Sequence, residues 1–441
     1  MKDRSLRTFI ILILTQMFSI IGSNMTSFAV GIQVYRETSQ ATPLALVGFF
    51  GLLPMLLAAG TAGVLADRWN RRYVMAIADI GQALGTLLLL ISFATDSFQL
   101  WHLYTITTLQ SVFDIFQRPA FTASITMLVK DEHRDRANAI QQVTGPTGRL
   151  IAPIFAGFLY SLVGLNGVLV FDLATFLVAV TVVLSVAIPQ PEKSVEAEAL
   201  ASNRWQQATV GIRYLFSKRP LFYNALYSTI PNFLTNGALI LLTPYLLSLH
   251  NSEELLGILT AALGGGHVVG GLVMSAWGGT RPRIHTMRVS AMLQGVFLAL
   301  FGLVRTPLAL GITLFLLLFW NPIGNAAYMS VLQKKIPPDL QGRVLAALIQ
   351  IGQIITPLAY LISGPLADRV FEPAVGESWW SSLQPLVGSS PGSGMGLMIF
   401  ISGLLTFTAA AVVYLIPSIT RMEENLPDYE PRAQSASDTE S

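Results

Sequence analysis

Long apolar segments separated by short polar breaks dominate this chain. A helix needs about 20 mostly apolar residues to cross a bilayer, and twelve segments meet that requirement. The sequence therefore predicts an all-α membrane protein with twelve transmembrane helices. The predicted spans are 8–34, 43–66, 73–95, 99–128, 137–163, 166–188, 220–249, 254–277, 287–304, 308–333, 344–367 and 394–417.

The longest polar interruption between spans divides the predicted helices six and six. We predict an N-terminal bundle over 1–188, a cytoplasmic linker over 189–218, a C-terminal bundle over 219–417 and a disordered cytoplasmic tail over 418–441. An ungapped repeat supports the division, since "RANAIQQVTGPTGRLIAPIFAGFL" from Arg136 aligns with "RVLAALIQIGQIITPLAYLISGPL" from Arg343. Two pseudo-symmetric six-helix halves are typical of secondary transporters, whose binding site lies between the halves.

The positions of the basic residues predict the orientation. With a cytoplasmic N-terminus, 22 of the 27 lysines and arginines fall in segments predicted to be cytoplasmic, and Arg288 is counted among them. Outer segments hold only Arg36, Arg305 and Arg369. This distribution follows the positive-inside rule and predicts a multi-pass protein with both termini in the cytoplasm. We expect it in the cytoplasmic membrane of a bacterium.

Composition agrees with lipid as the main solvent and excludes several classes of site. The chain is 52% hydrophobic and 12% charged, against about 25% charged in soluble domains. The absence of cysteine excludes disulfides, thiolate metal sites and a cysteine nucleophile. The formal net charge of +2 is too small to indicate a nucleic-acid partner.

A dense polar motif, "GVLADRWNRR", follows the second predicted span. A carboxylate there can cap the N-terminus of a helix from the other bundle, and the arginines can pair with Asp131 or Asp135 on a neighbouring loop. Such contacts would close the cytoplasmic mouth in one conformation and break in another. The alternative is that these are ordinary charges at the end of a span. The predicted latch comprises Gly63, Asp67, Arg68, Arg71, Arg72 and Asp131.

This motif resembles the Gly-x-Leu-x-Asp-Arg-x-x-Arg-Arg signature of the major facilitator superfamily, in which the loop is a conformational latch. "RPAFTASITMLV", "RANAIQQVTGP", "VFDLATFLVAV" and "ISGPLADRVFEP" resemble the macrolide-efflux and enterobactin-exporter branch of that superfamily. "TGPTG" and "IAPIFAG" in the fifth span resemble its antiporter motif. The resemblance implies the major facilitator fold and the efflux of a compound by alternating access.

Charged residues within the first six spans are candidates for proton coupling, because charge at bilayer depth is costly and usually functional. Asp114 and Arg118 are four residues apart and share a helix face, and Arg149 could reach Asp114 from the fifth span. We hypothesise that Asp114 is the coupling acid and that Arg118 and Arg149 tune it. The alternative is a fixed structural ion pair. Asp79 and Asp172 lie nearer span ends, where packing pairs or helix caps are favoured.

Amides and aromatic side chains in the spans predict a cavity for a large, mostly apolar compound. Our candidates for its lining are Asn24, Gln110, Asn232, Asn236, Gln294, Trp320, Asn321 and Gln353.

The chain lacks a phosphate loop and an HExxH motif, and "GSSPG" lies in a predicted outer loop without a preceding strand. We therefore predict neither an enzyme nor a bound cofactor or metal, and we expect a proton gradient to supply the energy.

These features together predict proton-coupled export of a small amphipathic substrate, such as a macrolide, a siderophore or another secondary metabolite. A lysophospholipid or other lipid transporter on the same fold is an alternative. A non-transporting membrane receptor or assembly partner is another. We expect a monomer in the lipid bilayer.

Overall fold

The computed structural model describes residues 6–58, 69–129, 133–186, 204–416 and 423. These residues are helical and contain no strand. This is the expected result for a lipid-embedded chain, because a helix satisfies its backbone polar groups internally. The main helices are α1 Leu6–Thr38, α2 Thr42–Ala58, α3 Arg71–Ala94, α4 Leu100–Leu128, α5 Arg134–Ser185, α6 Arg204–Ser217, α7 Arg219–Leu239, α8 Leu242–His250, α9 Glu253–Trp277, α10 Arg283–Leu303, α11 Pro307–Lys335, α12 Pro338–Gln353, α13 Thr356–Leu366 and α14 Ser393–Val412.

The helices follow the predicted spans, with three differences in where a helix continues or is interrupted. Within the described ranges, nine helical segments are long and apolar enough to cross a membrane, and α2 is a shorter apolar helix. Spans 137–163 and 166–188 both lie in α5, where Gly164 has a φ of 66° and kinks the helix between them. Span 220–249 consists of α7 and α8, and span 344–367 consists of α12 and α13.

The helices form two packed groups. In the first, α1 packs along α5, and α4 packs against α2 and α3. In the second, α10 packs against α11 and α14, and α9 packs along α11. The intervening helix α6 packs against α7 and α12, and a Cβ at Gly211 would clash with the backbone of Arg343.

The two groups meet mainly through two helix pairs, α2 with α13 and α5 with α9, and α1 also contacts α8. Their closest contacts involve the beginning of α2 and the beginning of α9. We term this end of the molecule the outer end, following the orientation that the basic residues predict. Arg71 and Arg72 of the predicted latch begin α3 at the opposite end.

Candidate functional site

The outer end is closed by a carboxylate that caps a helix of the other bundle. Asp368, just beyond α13, accepts hydrogen bonds through Oδ1 from the Ala41 backbone N–H (2.8 Å) and through Oδ2 from the Thr42 N–H (2.7 Å). The Thr42 hydroxyl donates a third hydrogen bond to Oδ2 (2.5 Å). The first N–H groups of a helix have no partner inside it and carry partial positive charge, so a carboxylate there is stabilising.

Close backbone approach accompanies this cap. A Cβ built on Gly364 would lie 2.7 Å from the Thr42 Cα and 2.8 Å from the Ala45 Cβ, so only glycine fits against the beginning of α2. The second pair of helices, α5 and α9, uses the same device. A Cβ on Gly157 would lie 2.6 Å from the Glu253 carbonyl oxygen, and one on Gly257 would clash with the Pro153 carbonyl oxygen. Small residues bring these helices together along both contacts.

An ion pair joins the bundles at the same end. Arg36, in the last turn of α1, pairs with Glu253, the first residue of α9. The Arg36 guanidinium also lies 5.7 Å from the centroid of the Tyr160 ring, and the Tyr160 hydroxyl donates to Gln33 Oε1 (2.6 Å). Glu253 is 7% exposed, so its charge depends on this arginine.

These outer contacts were not predicted, although the sequence contains a signal for them. The segment "GPLADR" from Gly364 repeats the "GVLADR" of the predicted latch, from Gly63. It places Asp368 where the latch has Asp67. The same short motif therefore occurs at the end of the second span and at the end of the eleventh, and the described copy caps a helix of the opposite bundle.

Most of the predicted latch lies outside the described residues, namely Gly63, Asp67, Arg68 and Asp131. Arg71 and Arg72 begin α3, and the Arg72 N–H donates to Asn70 Oδ1 (3.1 Å), which caps the helix. Pairing of these arginines with Asp131 therefore stays a prediction.

The predicted coupling residues are only partly brought together. Arg118 Nε lies 2.8 Å from Asp114 Oδ2, and the two side chains are 56% and 41% exposed. Arg149 is exposed and forms no ion pair with a carboxylate of the described residues. Asp114 and Arg118 form a local pair on α4, and Arg149 does not join it.

Two other carboxylates of the first bundle are fully buried. Asp79 and Asp172 are each 1% exposed. Asp79 accepts hydrogen bonds from Gln16 Nε2 (3.1 Å) and Gln117 Nε2 (2.5 Å). Asp79 does not cap a helix in the described structure; its partners are the neutral amides of Gln16 on α1 and Gln117 on α4.

Asp172 is held in the same manner. Its Oδ2 accepts from the hydroxyls of Thr26 (2.8 Å) and Thr86 (3.2 Å), and Oδ1 lies 3.5 Å from the Ser23 hydroxyl. A Cβ on Gly22 would lie 2.7 Å from Asp172 Oδ1, so this glycine lets α1 approach the carboxylate. Within the described part of the chain, neither buried acid has a basic partner.

A cavity of about 560 Å³ lies within the second group of helices. Residues of α7, α9, α10, α11, α12 and α14 line it. Five predicted lining residues are at its wall: Asn232, Asn236, Gln294, Asn321 and Gln353. Apolar side chains complete it, among them Leu239, Leu318, Met329, Leu348 and Ile349.

The remaining three predicted residues lie elsewhere. Asn24 donates to the Ile20 carbonyl of its own helix (2.6 Å), and Gln110 donates to the Gln82 carbonyl (3.1 Å). Trp320 packs in a cluster around Met274. Polarity within a span marks these residues but does not show the direction in which each side chain points, and that direction depends on helix packing.

Arg288 is the charged residue at the wall of this cavity. The prediction that Arg288 lies in a cytoplasmic loop is wrong, because it lies in α10 and is 2% exposed. Its guanidinium lies 4.7 Å from the centroid of the Tyr414 ring. Composition does not show where a span ends and its flanking loop begins, so the sequence could not place Arg288 inside the helix.

Comparison with known proteins agrees with this architecture. A family model of the Major Facilitator Superfamily matches residues 12–360. The fold resembles that of a bacterial homologue of the human lysosomal transporter Spinster, solved in an inward-facing and unoccupied conformation (TM-score 0.72, 15% identity, 98% of this chain and 100% of that one). It also resembles the nucleoside transporter NupG (TM-score 0.66, 13% identity, 92% and 99%).

Two similar sequences are efflux proteins. Macrolide efflux protein A of Streptococcus pyogenes is 25% identical over 362 residues, which cover 80% of this chain and 88% of that protein. The multidrug efflux pump Tap of Mycolicibacterium fortuitum is 26% identical over 360 residues, covering 79% and 86%. With the all-α fold of paired helix bundles and the match over most of its length, this chain belongs to the major facilitator superfamily and is a membrane transporter.

Proposed function

We propose that this protein exports a bulky amphipathic compound from the bacterial cytoplasm across the cytoplasmic membrane, driven by a proton gradient. The cavity of about 560 Å³ is the observation that supports this most, because its wall combines several amides with apolar side chains. Ligand sites of this kind hold an apolar body by burial and fix its orientation with a few polar groups. The efflux relatives support the direction of transport.

Alternating access is the proposed mechanism. The contacts of Asp368 with Thr42 and of Arg36 with Glu253 close the outer end, and export requires them to break. The proposed latch at the cytoplasmic end, around Asp67 and Arg71, would then form in their place. The bundles thus exchange one set of caps and ion pairs for another as they rock about the cavity.

Proton coupling is proposed to lie in the first bundle, through a carboxylate that gains and loses a proton. Asp114 is the acid that the sequence indicated, but it is half-exposed and paired with Arg118. Asp79 and Asp172 are buried and accept hydrogen bonds from neutral groups. An ionised carboxylate is costly in an apolar interior without a cation, so these two are the stronger candidates.

Dye efflux from cells tests the proposal. Cells expressing the protein in a background without other drug pumps are loaded with a fluorescent macrolide conjugate or a fluorescent lysophospholipid, and efflux is recorded with and without a protonophore. We expect efflux of at least one amphipathic probe that stops when the protonophore is added. Preference for the lysophospholipid would establish the lipid-transporter alternative, and retention of every probe at the level of empty cells would favour a non-transporting receptor.

A further inference from the structure

Among the described residues, the cavity wall carries a positive charge and no negative charge. Among the described residues that line it, Arg288 is charged and none is an aspartate or a glutamate. All three guanidinium nitrogens of Arg288 are buried and have no hydrogen-bond partner in the described part of the chain. A buried cation without a partner is strongly unfavourable, so its retention requires a compensating gain.

The contacts of Arg288 hold the guanidinium in place without neutralising it. Its guanidinium carbon lies 4.7 Å from the centroid of the ring of Tyr414, in the turn that follows α14, and the ring face attracts the cation. A cation–π contact uses none of the guanidinium N–H donors, and these have no hydrogen-bond partner in the described part of the chain. The guanidinium is therefore fixed in position with its hydrogen-bonding capacity unused.

Neighbouring carboxylates of the described chain do not pair with the Arg288 guanidinium. Glu423 is close to the beginning of α10, where its Oε2 accepts from the Ile284 N–H at 3.3 Å, but it makes no ion pair with Arg288. The carboxylates at the beginning of α9 and after α13 belong to the outer closure. The described chain thus supplies no anion for this cation.

We propose that Arg288 is the anion-binding group of the substrate cavity and that the exported compound carries a carboxylate or phosphate group on an apolar body. This inference rests on the proposed function and narrows its substrate class. A guanidinium binds these groups with two parallel hydrogen bonds, which gives orientation as well as affinity. The acid binds at Arg288, the amides of Asn232 and Gln294 contact the polar body, and Leu348 and Ile349 cover the apolar part.

Paired probes that differ only in charge test this site. Binding of a dansyl-labelled long-chain carboxylic acid and of its methyl ester is measured by fluorescence with the purified full chain in nanodiscs of zwitterionic lipid. We expect the acid to bind about tenfold more tightly than the ester, since a neutral ester cannot pair with the guanidinium. Equal affinity of acid and ester for the unsubstituted protein would overturn the proposal without any variant.

Substitutions assign the preference to one residue. Arg288→Gln should abolish the difference between acid and ester, and Arg288→Lys should keep part of it as a point charge. Arg283→Gln is the matched control, because Arg283 lies on the same helix, contacts Ser330 and does not line the cavity. An acid preference that survives in Arg288→Gln would contradict the assignment.

Two competitors distinguish the sources of the anionic group. Displacement of the probe by lysophosphatidic acid but not by inorganic phosphate indicates an amphipathic cargo, as proposed. Displacement by inorganic phosphate alone indicates a site for free anions and would overturn the proposed cargo class. Protonophore-sensitive dye efflux without any acid preference would defeat this inference and leave the proposed function intact, whereas the absence of all efflux would defeat the proposed function itself.

Discussion

The carboxylate of Asp368 caps the helix that Thr42 begins, and the two residues belong to opposite bundles. Both backbone N–H groups at the beginning of α2 and the Thr42 hydroxyl donate to it. In the proposed alternating-access cycle this contact breaks when the outer end opens, so it stabilises only the closed conformation. A transporter must be able to break it in each cycle, and its strength sets how often the outer end opens.

Replacement of Asp368 by asparagine should therefore favour the outward-open conformation. Hydrogen bonds to a charged acceptor contribute about 1.5–3 kcal/mol, and an amide oxygen retains part of that, so we expect a shift of about 1–2 kcal/mol. The population ratio would change roughly tenfold. Spin labels at Thr95→Cys and Ser381→Cys, both exposed in the described structure, report the separation of the bundles at this end.

Glu37→Gln is the matched control for that experiment. Glu37 is an exposed carboxylate at the same end, and its bond to Gln33 Nε2 (2.7 Å) stays within α1. We expect the distance distribution to remain that of the unsubstituted chain. Identical distributions for Asp368→Asn and the unsubstituted chain would show that the cap does not control opening.

The ion pair between Arg36 and Glu253 should respond unequally to loss of each partner. Arg36 is 42% exposed in its side chain and Glu253 is 9% exposed. Arg36→Gln leaves a buried carboxylate without a cation, so we expect it to destabilise the closed outer end by about 1–3 kcal/mol. Glu253→Gln leaves an arginine that water can solvate, and we expect less than about 1 kcal/mol.

The same spin-label pair measures both effects, and the exchanged variant Arg36→Glu with Glu253→Arg tests whether the charges act together. Partial recovery of the closed population in the exchanged variant is expected. Equal effects of the two single substitutions would show that burial of Glu253 has no energetic consequence here.

Glycines between α5 and α9 should be sensitive to a single added methyl group. A Cβ on Gly257 meets the Pro153 carbonyl oxygen, and backbone cannot move aside easily. We expect Gly257→Ala to weaken closure of the outer end by about 1–3 kcal/mol, the usual cost of overpacking, and to slow efflux. Gly265→Ala on the same helix is the control, because its Cβ would approach only the Phe315 ring, at 3.9 Å. Similar efflux by both variants would contradict the role of this contact.

Removal of the buried carboxylates should separate uphill transport from binding. We expect Asp172→Asn and Asp79→Asn to lose protonophore-sensitive efflux while they retain exchange of labelled for unlabelled substrate, because asparagine keeps hydrogen-bonding partners but cannot take up a proton. Asp114→Asn should retain uphill efflux, since the Asp114–Arg118 pair is half-exposed. Loss of uphill efflux in Asp114→Asn, with normal efflux in the other two, would assign coupling to Asp114.

Hydropathy predicts the helices of this protein well because lipid offers the backbone no alternative partner. The predicted break between spans 137–163 and 166–188 coincides with the kink at Gly164 in α5. A glycine with positive φ interrupts the helix there without a polar loop. Hydropathy does not show the interruptions inside spans 220–249 and 344–367, where the chain forms two helices each. The family motifs also predicted the fold. Like the spans, they depend only on residues that are close together in the chain.

Side-chain environment could not be predicted in this way. Arg288 and Asp114 are both charged residues near or within spans, yet Arg288 is buried in a bundle and Asp114 is half-exposed. The difference comes from which face of each helix meets its neighbours, and that is a tertiary property. Asp79 is a similar case, since its two amide partners come from α1 and α4.

Among the described residues, those that line the cavity all belong to the second group of helices, whereas Asp79 and Asp172 are buried in the first. In the proposed roles, cargo and proton bind to separate groups of helices and never share a ligand. Thermodynamic linkage between them then passes through the seam between the two groups, chiefly where α2 meets α13 and α5 meets α9. Substitutions in that seam should therefore yield uncoupled transporters, which bind cargo and proton normally but let protons cross the membrane without exporting cargo.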